Sequence, residues 1–541
     1  MLAWTNNTFC QLDYSTPYGS NAISIFSNFA IDGSFQMMSF STGYAPYGPA
    51  LWDVTPVGRE IARPYGVDWY YQAGQTVLFK ANDIANIGGP RAEEFYYYAQ
   101  LFNGSGINAV PPSLLTRNSM FYVTDYITHR RPGWLTSSRM SSTRTYRNEC
   151  GNIENLEGWH LGEGSGFVLL SANLGLDYVD VFPAWDWTRI PGTTVQAYRV
   201  GYGCGDVGGY GATSFVGGTS DTNIGVTAFD FVAPGTITKL SYRKSVAFFD
   251  DVTVTVVTNI TSTMNPLGPV WSTIDQRRIP MNVQPTTTDI YTSANNQVPL
   301  QPGNYTLNNN VWWVWEGSIG YIFLDRIPVA YRHPMNKDQV SASNLPTVHV
   351  SALMQTGNWS AIGAHSGNVT AYMFTLWFET LPTGNTLTNQ QVTYAVIPNI
   401  PLATFISTVN SYASNIFVVN NTANTQAIQY KDALTVAAYS ANSVVNTSAF
   451  PSISKGWNLQ ISNPGAYLVR VNSTNVALTV ANPAQETWST SVTIDRSLQT
   501  SGGGNGQDSC AASSNPPNGG VMTIPAPPGT GASHTLVCQL Q

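Results

Sequence analysis

Charge is scarce in this chain. Only 10% of its 541 residues are Asp, Glu, Lys or Arg, and acids outnumber bases 31 to 24, for a net charge of −7. A chain of this balance has no basic domain to neutralise phosphates, so no nucleic-acid partner is expected. No run of about 18 apolar residues occurs, so no membrane span or membrane partner is expected. Cysteine is sparse too. The five cysteines, at 10, 150, 204, 510 and 538, are an odd number without metal-like spacing, which excludes a dense disulfide scaffold or a zinc framework. Cys510 and Cys538 bracket a Gly/Pro/Ser-rich segment and are expected to pair. Nothing marks Cys150 as a nucleophile. A secretory signal is also missing: Met1-Leu2-Ala3-Trp4-Thr5-Asn6-Asn7 has neither a basic start nor an apolar core.

What is plentiful points to strands. Asn, Thr, Ser, Gly and aromatic residues dominate, a balance that favours sheets and turns over surface helices. Hydrophobic residues make up 43%, enough for large cores, and the length implies two to four domains. Nine sequons, at Asn6, Asn103, Asn259, Asn304, Asn358, Asn368, Asn420, Asn446 and Asn472, lean towards a secreted, extracellular glycoprotein. The absent signal then implies that the natural N-terminus lies upstream.

The chain divides by texture. Residues 1–115 mix aromatics, Gly and Pro with short helical stretches, and Arg91–Phe102 reads as a closing helix with early acids and a following Asn103-Gly104 stop. Pro111-Pro112 marks a boundary. Residues 116–385 are mostly β. Asp251–Thr258 alternates with period two, and Tyr372–Phe378 is a richer, more buried run. Turn residues separate many such segments, which predicts a large antiparallel β-sandwich. A smaller C-terminal β domain follows over 386–490, and 491–541 reads as a flexible Gly/Ser/Pro-rich tail.

One stretch breaks the scarcity of charge. Six arginines, at 117, 130, 131, 139, 144 and 147, crowd a short interval whose only acid is Asp125. Such a strip either holds a polyanion at its carboxylates or sulfates, or consists of arginines that pair with acids elsewhere in the chain or lie on a solvated face. It runs directly into Glu149-Cys150-Gly151-Asn152-Ile153-Glu154-Asn155.

These residues resemble a known family. Thr128-His129-Arg130-Arg131-Pro132-Gly133-Trp134, Met140–Tyr146, Glu149–Asn155, Gly158-Trp159-His160-Leu161-Gly162-Glu163-Gly164, Asp177–Pro183 and Trp185-Asp186-Trp187-Thr188-Arg189-Ile190-Pro191-Gly192-Thr193-Thr194 follow in order over about 75 residues. Together they are similar to the signature of polysaccharide lyase family 8, which includes hyaluronate, chondroitin AC and xanthan lyases. A weaker resemblance runs from about Asp32 to about Val480. It implies an N-terminal α/α toroid, a central β-sandwich and a smaller C-terminal β domain, so 1–115 reads as a truncated remnant of the toroid.

The resemblance also implies a chemistry. Such enzymes remove the C5 proton of a uronic acid and expel the C4 oxygen by β-elimination, with stabilisation of the enolate-like intermediate. Asp32-Gly33-Ser34-Phe35 is similar to the segment that leads to the family's catalytic His and to a Tyr-Gly nine residues later. Here Tyr47 and Gly48 hold that spacing, but Met38 stands at the histidine position. Tyr47 is the expected base and acid. Arg59 and Arg63, in Gly58-Arg59-Glu60-Ile61-Ala62-Arg63-Pro64, match the family's paired arginines and would share one helical face. Nearby guanidinium groups favour a phenolate, and their planar forks suit substrate carboxylates. Glu149 is expected to orient Tyr47 or an arginine, Asn152 to bond the sugar, and Arg144 to line the cleft as a substrate-binding residue.

The segment between Tyr47 and Arg59 is short by about one helical hairpin, and no candidate is found for the carboxylate-neutralising Asn expected before Asp32. His129 and His160 read as structural, and Trp185, Trp187, Trp312, Trp313 and Trp315 as core. No cofactor is required. Some family members hold a metal in the sandwich, so a structural calcium ion is allowed, although Asp180 and Asp186 alone are not a ligand set. The expected protein is a monomer whose partner is an acidic polysaccharide. Two other readings remain: a catalytically impaired homologue that binds carbohydrate, which Met38 favours, and a glycoside hydrolase with paired carboxylates, which the scarcity of acids near Glu149 disfavours.

Overall fold

The computed structural model of the chain describes residues 30–31, 34–35, 116–145, 147, 157–170, 178, 181–197, 210–234, 239–263, 268–279, 288–336, 345–361, 367–384, 386–486, 488–502, 508–513, 519–525 and 531–541. The helical expectation at Arg91–Phe102 lies outside these residues. Of the first 115, a two-residue pairing of Ala30–Ile31 with Ser34–Phe35 is described.

Two large antiparallel sheets form the centre. One has eight strands, in the spatial order Ile290–Thr292, Trp313–Glu316, Ile319–Phe323, Leu387–Pro398, Thr253–Ser262, Ser241–Phe248, Gly225–Val232 and Val216–Ser220. The other has five, in the order Gly303–Leu307, Thr347–Asn358, Asn368–Thr380, Val270–Arg278 and Thr194–Gln196. Strand alternation explains how they face each other. Tyr372, Phe374, Leu376 and Phe378 of the five-stranded sheet pack against Tyr321, Phe323, Tyr394 and Val396 of the eight-stranded sheet in one core. Val254 and Val256, read from the sequence as a period-two pattern, point to the opposite face of their sheet. That face is buried as well, beneath the helix Leu402–Asn415 and the start of the C-terminal unit.

This helix was not anticipated. Phe405, Val409 and Ala413 repeat every four residues and give it a single buried stripe. Gly320 makes the docking feasible, because a Cβ there would lie 2.2 Å from the Phe405 ring.

A four-stranded sheet, Arg117–Phe121, Tyr126–Arg131, Trp134–Arg139 and Val168–Leu170, adjoins the same core through Met120, Ile127, Trp134, Val168 and Leu170. Its other face contributes Leu135 and Leu169 to a second cluster with Tyr178, Phe182, Trp185, Trp187 and Met373. That cluster covers part of the outer face of the five-stranded sheet, and Trp185 and Trp187 are core residues within it, as are Trp312, Trp313 and Trp315 elsewhere.

The C-terminal unit is a second sandwich. A sheet of Ile416–Asn421, Thr425–Tyr430, Ala433–Ala438, Gly465–Val471, Asn475–Ala481 and His534–Gln539 faces one of Ser443–Asn446, Asn458–Ile461, Thr490–Ile494, Gly519–Ile524, Ser509–Ser513 and Ser501–Gly502. Trp457 sits at 1% exposure in the shared core. The expectation of a flexible tail from 491 therefore needs correction: strands of that region complete both sheets. Its glycines and serines disguised them, but Val492, Ile494, Met522 and Ile524 are fully buried at strand period. The expected pair Cys510 and Cys538 forms a disulfide with Cα atoms 5.8 Å apart. It joins one sheet to the other.

Candidate functional site

The arginine strip lies on the first three strands of the four-stranded sheet and on the segment after them. Most of it faces inwards. Arg130, Arg131, Arg139 and Arg147 are 8% exposed or less. Arg131 donates to Asp250 at 2.9 Å and to the Asn223 carbonyl. Arg147 donates to the Tyr210 carbonyl at 3.1 Å. For Arg131 the contact with Asp250 is pairing with an acid from elsewhere in the chain.

Arg144 is the one expected site residue whose placement is described. Its guanidinium bonds Asp125 at 3.0 Å and the carbonyls of Ser214, Val216 and Pro483 at 2.9, 2.9 and 3.2 Å. Asp125 also accepts from Thr145 Oγ1 at 2.7 Å. Burial raises the Asp125 pKa, against the pull of Arg144 and the surrounding hydroxyls. Arg144 thus has most of its donors committed to protein acceptors. It ties the four-stranded sheet to the eight-stranded sheet and to the C-terminal unit.

The segment 140–147 is clamped further by close backbone approach. Gly211 donates to the Ser142 carbonyl at 2.8 Å, and a Cβ on Gly211 would lie 2.5 Å from Ser141 O. A Cβ on Gly162 would lie 2.7 Å from the Arg147 backbone. The motif Gly158–Gly164 therefore presses directly on the chain two residues before Glu149. Inside that motif, His160 Nδ1 lies 2.8 Å from Glu163 Oε2, with both side chains buried. Lys244 holds the end of the turn, donating to Gly164 O at 2.7 Å and to Gly192 O. Full burial lowers the Lys244 pKa to about 7.

His129 is structural, as expected. It is fully buried, with Nδ1 3.1 Å from Asn118 Nδ2 and Nε2 2.8 Å from the Phe249 carbonyl. Burial, with Arg131 nearby, pushes its pKa well below the ordinary value.

Tyr47, Arg59, Arg63, Glu149, Asn152 and the Met38 position lie outside the described residues. Sequence reading gave neither Asp125 nor Lys244 a role. A signal existed for Asp125, the lone acid among six arginines, but none for Lys244, whose role depends on distant backbone carbonyls.

Of the two acids beside the calcium position that the resemblance allows, Asp186 is described. Asp186 accepts from the Thr188 backbone at 3.0 Å and pairs with Arg189. Among the described residues no group of three or more His, Cys, Asp or Glu side chains has the geometry for a metal. Asp180 lies outside them.

Comparison with known proteins extends this picture. The chain is 28% identical over 391 residues to the chondroitinase-AC of Pedobacter heparinus, covering 70% of this chain and 48% of that protein. It is 28% identical over 389 residues to the hyaluronate lyase of Thermasporomyces composti, covering 70% and 44%. The chain thus spans about half the length of the curated relatives it matches. The chondroitin AC lyase of Streptomyces coelicolor, solved with chondroitin sulphate, superposes with a TM-score of 0.69 at 18% identity, covering 99% of this chain and 68% of that one. A Paenibacillus xanthan lyase gives the same TM-score and identity over 98% and 49%. These two likenesses establish the fold. Residues 116–409 match the super-sandwich domain of polysaccharide lyase family 8. That span is more than half of the sequence and holds the clamped segment leading to Glu149, and the chain belongs to polysaccharide lyase family 8.

Proposed function

We propose that the chain is a secreted polysaccharide lyase that cleaves a uronic-acid-containing glycan of the hyaluronan, chondroitin or xanthan type by β-elimination. The observation that carries this reading is the family match across the super-sandwich, which contains the Glu149–Asn155 motif. In this reading Tyr47 removes the C5 proton as phenolate and returns it to the departing O4 oxygen. An ordinary tyrosine has a pKa near 10, so Arg59 and Arg63 serve to favour its ionised form while binding substrate acid groups. Glu149 orients the base, and Asn152 bonds the sugar or its carboxylate. Arg144 fixes the strand exit that carries both. No step requires a metal.

Secretion fits the placement of the sequons. Of the seven in the described residues none is buried, and Asn304, Asn368, Asn446 and Asn472 are exposed. Among the described residues no helix is long and apolar enough to cross a membrane.

The test follows the ultraviolet absorbance of unsaturated uronate on hyaluronan, chondroitin and xanthan. At least one should give a signal that Tyr47→Phe abolishes. No signal on any of them would favour the second reading, a carbohydrate-binding homologue with impaired catalysis. Met38 at the family's histidine position motivates that reading, since a thioether can neither carry a proton nor donate a strong hydrogen bond. Met38→His restoring turnover would support it directly.

A further inference from the structure

The last strand of a sheet presents backbone groups without a partner strand, and such an edge invites pairing with another chain. Most sheet edges of this protein are closed. Ile290–Thr292, Thr194–Gln196, Val168–Leu170 and Ser501–Gly502 are three residues long or shorter. At Val216–Ser220 the Val216 carbonyl accepts from Arg144 and the Ser220 amide donates to Ser533 Oγ, at 2.9 Å each. Arg117–Phe121 is tied beside it, with Asn118 N donating to the Thr222 carbonyl at 2.7 Å. Ile416–Asn421 is fastened to the eight-stranded sheet, where Asn421 donates to Gln391 Oε1 at 3.0 Å. His534–Gln539 has the Asp508 carboxylate against His534.

Two edges lack these devices. Gly303–Leu307 ends the five-stranded sheet, and Ser443–Asn446 ends the second sheet of the C-terminal sandwich. They are five and four residues long, without a charged residue or a proline. Among the described residues no strand pairs with the far side of either. Val444 is 52% exposed on the second.

Each of these edges carries a sequon, Asn304-Tyr305-Thr306 and Asn446-Thr447-Ser448, and both asparagines are exposed. Among the described residues neither side-chain amide has a hydrogen-bond partner. The other five described sequon asparagines are engaged. Asn259 accepts from Thr261 at 3.4 Å, and Asn358 donates to Asn368 at 2.6 Å. Asn420 reaches the Val444 carbonyl at 3.4 Å, and Asn472 accepts from the amides of Thr474 and Asn475 at 2.9 and 2.7 Å. Asn446 also shares the exposed face of its strand with Val444, so a sugar on Asn446 would cover that valine.

We propose that Asn304 and Asn446 carry N-linked glycans that shield these two edges from pairing with a second copy of the chain. The proposal rests on the secretion proposed above, because the sugar is added in a secretory pathway. The donor is a lipid-diphosphate oligosaccharide. Asparagine Nδ2 bonds C1 of its first N-acetylglucosamine and gives up one proton, while the C1–O bond breaks and the lipid diphosphate leaves with the electron pair. The product is a bulky, hydrated group at the rim of each sheet.

The full chain is made in a eukaryotic secretory host behind a supplied signal sequence, so that site occupancy is read apart from the chain's own secretion. Mass spectrometry of proteolytic peptides should find glycan on both Asn304 and Asn446. Sedimentation should show a monomeric wild type. Asn304→Gln combined with Asn446→Gln should form dimers or larger species at the same concentration, with an unchanged melting temperature. Endoglycosidase trimming of the folded wild type should do the same. Asn304→Lys combined with Asn446→Lys also removes both glycans, but it should stay monomeric because an edge charge replaces the shield. Asn472→Gln, at a turn, should stay monomeric too. An unglycosylated Asn304 or Asn446 overturns the proposal. So does a monomeric Gln variant, association of the Lys variant, or association of Asn472→Gln equal to that of the edge variant. Lyase turnover, measured on the same samples, should be equal throughout, so a failure of the lyase reading shows in a separate readout.

Discussion

Arg144 reaches Asp125 at 3.0 Å across the opening of the four-stranded sheet, and the acid it meets is completely buried. Two residues 19 positions apart thereby fix the segment that runs on to Glu149. The same guanidinium reaches Pro483 of the C-terminal unit, so the brace also joins two sandwiches.

Removing the buried partner should be costly. Asp125→Ala leaves Arg144 without its counter-charge and Thr145 without its acceptor. A destabilisation of about 3 kcal/mol is expected, at the low end for a broken buried pair because Arg144 is a quarter exposed. Urea unfolding measures it. Arg144→Met combined with Asp125→Asn should cost less than the sum of the two single changes. Strict additivity would show that the pair is not coupled.

Lys244 should make stability depend on pH in an unusual direction. Its pKa is about 7 in the folded chain and near 10.5 when unfolded. Between those values the unfolded state binds more protons, so unfolding free energy rises as pH rises. The penalty is fully present below pH 7 and is relieved towards pH 10. Melting curves from pH 7 to 9 should show a positive slope in the wild type that Lys244→Met reduces. An identical slope in the variant would assign the effect to another group.

Gly162 should matter more to the site than its size suggests. An alanine there must displace the Arg147 backbone, since its Cβ would lie 2.7 Å away. A stability loss of about 1–3 kcal/mol is expected from the overpacking, with turnover reduced about tenfold or more by the shift of the Glu149 segment. Gly268→Ala is the control, because its Cβ meets nothing nearer than 3.6 Å. Equal behaviour of the two variants would refute this role for Gly162.

The Cys510–Cys538 bond closes a loop with a sequence separation of 28 between the two C-terminal sheets. Chain entropy places its contribution at roughly 3–4 kcal/mol. Cys510→Ala with Cys538→Ala should lower the melting transition of the C-terminal sandwich, and a reducing agent should do the same to the wild type. An unchanged transition in both experiments would show that the core around Trp457 suffices alone.

Local pattern carried far in this chain. Period-two runs such as Asp251–Thr258 announced strands because a pleated strand alternates its faces. The ordered motifs from Thr128 to Thr194 announced the family. Some local patterns misled. Residues 491–541 looked too rich in Gly, Ser and Pro to order, yet Val492, Ile494, Met522 and Ile524 supply a buried face once a second sheet stands opposite. The helix Leu402–Asn415 was hidden among Thr, Ser and Asn residues of modest helix propensity, and its stripe acquires meaning only against Gly320.

The sequence by itself determined the β class, the disulfide pair, the family and the residue types available for an elimination. Tertiary structure decided what the charges do. Arg131 meets Asp250 and Arg144 meets Pro483 because separate strands and domains bring them together, 119 and 339 positions apart. No local pattern encodes such distances. An arginine strip that could have held a polyanion became, by burial and pairing, largely the internal framework of the sandwich.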